Sequence, residues 1–280
     1  MPARFAAEAA GTEPPATGAL TLRFAPGPRG TRLRHQAGTA PLRCLRAFDL
    51  GGGEAIAQVV HVGPGVMAGD RLALTLEAEP GAQAVVVAQS ATKLHAMIDG
   101  THAEQHVRIR VGAGASLEWH PGLSIPFARS AFRQRVEVDL EPGARFVLVE
   151  RWACGRVARG ERHAYRRIDS RLHVRVSGRL AYADALVLEP DLADRPGVFE
   201  AHAYLATGVA FGVPSAPDEA RAEATTSAAE VATLALRDDR CALRGLGDDG
   251  VALQRAVTQR VDAWRARDGR ASVAWSRYGS

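Results

Sequence analysis

Between Arg71 and Trp152 the sequence repeats one pattern three times. The copies are Leu72–Gln89 (LALTLEAEPGAQAVVVAQ), Val107–Trp119 (VRIRVGAGASLEW) and Val136–Trp152 (VEVDLEPGARFVLVERW). Each is an alternating run, a turn on a Gly-Ala pair and a second apolar run. The pairs Gly81-Ala82, Gly114-Ala115 and Gly143-Ala144 stand 33 and then 29 residues apart. Alternation such as Val107, Ile109, Val111 places apolar side chains on one face of a strand. A Gly between two such runs supplies the backbone angles of a hairpin turn. One hairpin cannot bury its apolar face alone, whereas three stacked ones can. The pattern predicts a mainly β fold of layered antiparallel hairpins, solenoid-like, around a shared core.

Composition narrows the class. The chain has 280 residues, 46% hydrophobic and 24% charged, as expected of a globular protein with a full core. No apolar run approaches the roughly 20 residues that span a bilayer. Residues 1–18 read as a loose tail without the apolar segment of a signal peptide, so a cytoplasmic location is expected. Cys44, Cys154 and Cys241 are too far apart for a zinc motif. Net charge is +4 and the basic residues are nearly all arginine, with Lys93 the only lysine.

In order along the chain, residues 19–200 read as the layered β domain and 201–270 as a small α/β unit packed on it. Within the second unit, Asp218–Glu230 is a weak helix candidate. Leu253, Val257, Val261 and Trp264 mark one face of a terminal helix capped by Asp248 or Asp249. Residues 271–280 read as a frayed tail.

Several polar groups invite two readings. Asp70 closes a Gly- and Pro-rich loop, as a turn cap or as a carboxylate beside an interior passage. Ser90, Thr92 and Lys93 form a polar segment directly after an apolar strand. Glu118 and Glu150 hold comparable places in their repeats. With His120 they could make a cation site, or Glu150 could simply pair with Arg151 or another arginine. His102, Glu104 and His106 share one strand face and suit either a divalent ion or a solvated edge. Nine arginines between Arg151 and Arg179 form a basic band, for an anionic partner such as nucleic acid or as an exposed sheet face. Past Trp152 only Tyr165 interleaves there, so base stacking is poorly supplied. Glu161, inside the band, is expected to be paired. No Gly-x-Ser-x-Gly, His-Glu-x-x-His, Walker or dinucleotide motif occurs. This favours a scaffold or assembly factor over an enzyme.

Six strings, in order, carry a family resemblance: Gly-Val-Met-Ala-Gly-Asp (65–70), Pro-Gly-Ala (80–82), Gln-Ser-Ala-Thr-Lys (89–93), Trp-His-Pro-Gly-Leu-Ser-Ile-Pro-Phe (119–127), Gly-Arg-Val-Ala-Arg-Gly-Glu (155–161) and Leu-Gly-Asp-Asp (246–249). Over residues 20–267 the chain resembles the UreD (UreH) urease accessory proteins. His120 stands where that pattern leads one to expect an apolar residue, and 212–230 departs from it. The resemblance implies a non-enzymatic role in nickel delivery, in an assembly with UreF and the GTPase UreG that docks on apo-urease. It implies transient nickel and no tightly bound cofactor, and an internal passage for the metal. Asp70, Glu118, His120, Glu150 and Glu161 are then the candidate nickel-passing groups. Ser90 and Thr92 are the candidate lining, and Lys93 a charge partner. Neither nucleic acid nor membrane is an expected partner.

Overall fold

The Gly-Ala turns fall where the sequence places them, with φ of 75° at Gly81, 63° at Gly114 and 71° at Gly143. What they connect follows from the runs on either side. The first run of each repeat alternates and buries one face. The second is apolar throughout in the first and third repeats, as in Val85–Val87 and Val147–Val149, and must be covered on both faces.

The computed structural model describes residues 16–213, 224–226, 228–237 and 239–278. The strands before the repeats are β1 (Gly18–Gly27), β2 (Gly30–Gly38), β3 (Leu42–Cys44), β4 (Phe48–Gly51) and β5 (Glu54–His61). Those of the repeats are β6 (Arg71–Ala78), β7 (Gln83–Ala88), β8 (Thr92–Leu94), β9 (Ala103–Val111), β10 (Ser116–Pro126), β11 (Ala131–Leu140) and β12 (Arg145–Ala153). There follow β13 (Arg167–Val176), β14 (Arg179–Leu188), β15 (Tyr204–Phe211), β16 (Ala224–Thr226), β17 (Ala229–Arg237), β18 (Arg240–Gly247) and the helix α1 (Gly250–Arg267).

The protein is mainly β, with stacked, solenoid-like layers and this single α-helix among the described residues. One sheet has seven strands in the order β14-β13-β11-β9-β6-β1-β2. The other has eleven, running β16-β17-β18-β15-β12-β10-β7-β5-β3, with β4 on β5 and β8 on β10. The pairing inside the layers differs from the expected hairpins. The two strands of a repeat lie in opposite sheets, and equivalent strands of successive repeats pair in parallel: β6 with β9 and β9 with β11, β7 with β10 and β10 with β12. The Gly-Ala turn is thus a corner crossing the roughly 10 Å between facing sheets. The doubly buried second strands are the reason. Val86 and Leu148 fill the core between the sheets, while Val85, Val87, Val147 and Val149 belong to a second core on the outer face.

That outer face is covered by α1, whose first turn is capped by the Asp249 carboxylate accepting from Val251 N (2.7 Å) and Ala252 N (3.0 Å). Leu253, Ala256, Val257, Val261 and Trp264 supply the buried stripe. The tail expected to fray from residue 271 instead carries Val273 and Trp275 into the same core. Gln58 Nε2 donates to Tyr278 O across the sheet (3.1 Å). Apolar residues over a bare sheet face explain this correction. Of the expected helix over Asp218–Glu230, residues 218–223 and 227 lie outside the described residues; 224–226 and 229–230 are strand. Most of the expected N-terminal tail, residues 1–15, also lies outside them.

The loop after β5 is held by close backbone approach. Gly65 has φ 141°, and a Cβ there would stand 2.4 Å from Lys93 O. Gly65→Ala must strain the backbone or move β8. A loss of about 2–4 kcal/mol is expected in urea denaturation.

Candidate functional site

Parallel stacking in register turns a repeated position into a continuous row. In the seven-stranded sheet one inward row reads Leu72, Gln105, Gln134, Ser170 across β6, β9, β11 and β13. In the facing sheet a row reads Gly122, Glu150, Thr207, Arg244 across β10, β12, β15 and β18. These polar groups meet inside an otherwise apolar core. Gln134 Nε2 donates to Glu150 Oε1 (2.5 Å) and to Ser170 Oγ (3.0 Å). At the far end Arg244 Nη2 donates to Asp184 Oδ2 (2.6 Å), tying β18 to β14. At the near end is a cavity of about 80 Å³ between the sheets, reached by His61, Ser90, Thr92, Lys93, Gln105 and Gln134.

Glu150 is the unusual member. It is buried and accepts from Gln134, and no cation pairs with it among the described residues. Burial pushes its carboxyl up to about 7; the Gln134 hydrogen bond opposes this and nearby Asp184 adds to it. It is therefore poised to exchange a proton near neutrality.

Glu118 does not join it. The two carboxylates lie on opposite faces of the same sheet: Glu118 pairs with Val147, which faces the outer core, and Glu150 is three residues further on. Glu118 sits under α1 in a buried ionic network with Arg265, Arg270 (2.9 Å) and His120 (3.2 Å). Arg265 also pairs with Glu54, Arg270 reaches Glu54 (3.1 Å) and Asp268 (2.9 Å), and Asp268 pairs with Arg145 (2.9 Å). Burial alone would raise the Glu118 carboxyl, but the His120 hydrogen bond and the charges of Arg270 and Arg265 override it and hold it at about 2. His120 stacks edge-on against Trp275 with ring centroids 4.6 Å apart. The network fastens the C-terminal segment to the sheet.

The other expected residues have local partners. The Asp70 carboxylate caps its own loop by accepting from Met67 N (2.8 Å). Glu161 accepts from Arg156 Nε (2.7 Å), Arg156 Nη2 and Ala128 N (3.2 Å), and the Arg156 hydrogen bond holds its carboxyl below the usual range. Ser90, Thr92 and Lys93 line the cavity mouth. The His102, Glu104 and His106 set is divided. His102 Nε2 and Arg133 Nη1 lie 2.9 and 3.2 Å from Glu104 Oε1, while His106 Nε2 turns to Glu137 Oε2 at 2.8 Å. No group of three or more His, Cys, Asp or Glu side chains suited to a metal occurs among the described residues. Much of the arginine band is used internally. Arg162 reaches Asp194 (3.1 Å), Arg166 donates to Ile98 O (3.1 Å) and Thr101 O (2.5 Å), Arg171 pairs with Asp169 (2.8 Å), and Arg167 bonds Glu189.

Sequence reasoning missed Gln105, Gln134, Ser170 and His61. Their signal was present: Gln105 and Gln134 are lone polar residues in the inward columns of Val107 and Ile109, and of Val136 and Val138.

The UreD urease accessory protein family model matches residues 16–277. The chain belongs to the UreD urease accessory protein family. It is similar to Urease accessory protein UreD of Deinococcus radiodurans, 35% identical over 244 residues, with 87% of this chain and 88% of that protein covered. It is similar to Urease accessory protein UreD 1 of Methylobacterium radiotolerans, 34% identical over 258 residues, covering 89% and 88%. Urease accessory protein UreD 1 of a Synechococcus is 37% identical over 192 residues, covering 68% and 71%. In this UreD-family chain the match spans both sheets, the polar rows and α1. No helix among the described residues is long and apolar enough to cross a membrane.

Proposed function

We propose that this UreD-family chain matures urease by passing nickel through the polar rows between its sheets to apo-urease, acting in the cytoplasm within an assembly containing UreF and the GTPase UreG. It performs no catalysis of its own; nickel is cargo, held transiently, and no resident cofactor is needed. The supporting observation is Glu150: a buried carboxyl without a counter-cation, joined through Gln134 to an interior cavity.

Burying such a group is costly unless something repays it. A divalent ion arriving from the cavity would displace the proton of Glu150 and gain a hard oxygen donor. Ser90, Thr92 and Gln134 add neutral oxygens. Separated donors suit conduction, because a site that binds too tightly does not release. Asp70 and Glu161 steady the loops around this interior, and Glu118 with His120 closes the sheet's outer face.

The test is a complete urease operon lacking only this gene, assayed at low and high nickel. Urease should accumulate inactive and nickel-free, and the wild-type gene should restore it. Glu150→Gln should still capture UreF but activate urease roughly tenfold less at low nickel. Unimpaired activation in the deletion strain would reject the reading.

A further inference from the structure

The least satisfied polar side chain facing the interior is His61. It ends β5, where Ala57 and Val59 point into the inter-sheet core, so the alternation turns the imidazole the same way. It reaches the cavity that Gln134 closes on the other side. Both ring nitrogens are buried and neither has a hydrogen-bond partner. Other histidines are served: His95 by Pro64 O, His102 by Glu104, His106 by Glu137, His120 by Glu118, His163 by Tyr165 and Asp194, and His202 by Asp248.

A buried donor or acceptor left unmet costs about 1–3 kcal/mol, and the chain supplies neither ring nitrogen with a partner, so both are available to what enters the cavity. The backbone also makes room for the ring. A Cβ on Gly63 would lie 3.1 Å from His61 Cε1 and 3.4 Å from Nδ1.

We infer that His61 is a nitrogen ligand for a divalent transition-metal ion at the cavity end of the polar rows, one stage before Glu150. The inference rests on the proposed passage and adds a residue and a donor type to it. One imidazole with hydroxyl and amide oxygens around it is a mixed donor set suited to borderline cations such as nickel(II), and unsuited to magnesium or calcium. Ser90, Thr92, Gln105, Ser124 and Gln134 supply those oxygens around the same cavity. The Lys93 ammonium at the mouth opposes retention, which favours a stage that lets go. Gln134 bridges the two stages, lining the His61 cavity and donating to Glu150.

The experiment titrates the metal-free full-length protein with nickel chloride, followed by calorimetry and by X-ray absorption at the nickel edge. The wild type is expected to bind with imidazole scattering in the spectrum. His61→Phe should weaken binding tenfold or more and remove that scattering without lowering the melting temperature, since no internal bond is lost. His61→Gln, which keeps a polar donor, serves if the phenylalanine variant fails to fold, and should lose the same scattering. Unchanged affinity and imidazole scattering in the His61 variants would overturn the assignment and place the metal on another histidine, leaving the passage through Glu150 standing. A wild type that takes up no nickel would overturn the passage itself, and His61 with it.

Discussion

Arg265→Ala is expected to cost about 3–5 kcal/mol of folding stability, the usual loss when one partner of a buried ion pair is removed. Arg265 is 1% exposed and faces two carboxylates equally buried from water, Glu54 at 5% and Glu118 at 1%. Its Nε also donates to Ala271 O (2.7 Å), turning the chain into the Trp275 segment. Without the guanidinium, two negative charges remain under α1 with Arg270 to answer both and His120 beside Glu118. The readout is urea denaturation followed by tryptophan fluorescence, because Trp264 and Trp275 flank the network. Adding Glu118→Gln should return part of the loss, since it removes the charge left unpaired. A loss under about 1 kcal/mol would mean that water reaches the network and screens it.

Glu150→Gln is expected to stabilise the protein in alkali and to do little in mild acid. Its native pKa of about 7 lies above the reference 4.5, so folding takes up a proton between those values. The contribution is full below about 4.5 and is lost as pH rises to about 7. Glutamine removes that loss. At pH 8 the variant should exceed the wild type by up to about 3 kcal/mol, the free energy of such a shift, and match it near pH 4.5. Glu118 runs the other way: its native value of about 2 means that its contribution is lost as pH falls from 4.5. A difference between Glu150→Gln and wild type that ignores pH would show that the carboxyl is solvated and ionised throughout. Greater stability coupled with poorer urease activation is what a functional carboxylate maintained against folding would produce.

The layered β plan was legible because strand alternation and the Gly-Ala corners are local signals. The direction of pairing was less so. Hairpin and corner share the same turn residues, and the deciding sign was that Val85–Val87 and Val147–Val149 are apolar on both faces. Glu150 stood out as a strand-end acid, yet its relation to Gln134 and Ser170 depended on register across three strands. Glu118 and Glu150 looked comparable as strand-end acids, but they stand four and seven residues after the glycines of their Gly-Ala corners, and that odd difference puts them on opposite faces. The ionic network was illegible. Glu54 and Arg265 are 211 residues apart, and nothing near either names the other.

That separation also sets a timetable for synthesis. Strands β5, β7 and β10 leave the ribosome early, and the parallel stack can form as each layer arrives. Ile56, Val85 and Val87 on its outer face, with Glu54 and Glu118 beside them, then wait for Trp264, Arg265 and Arg270. At the usual 5–20 residues per second, the roughly 150 residues after β10 keep that apolar face open for about 10–30 s. A nascent chain of this protein is therefore most prone to aggregate just before α1 and the Trp275 segment are made.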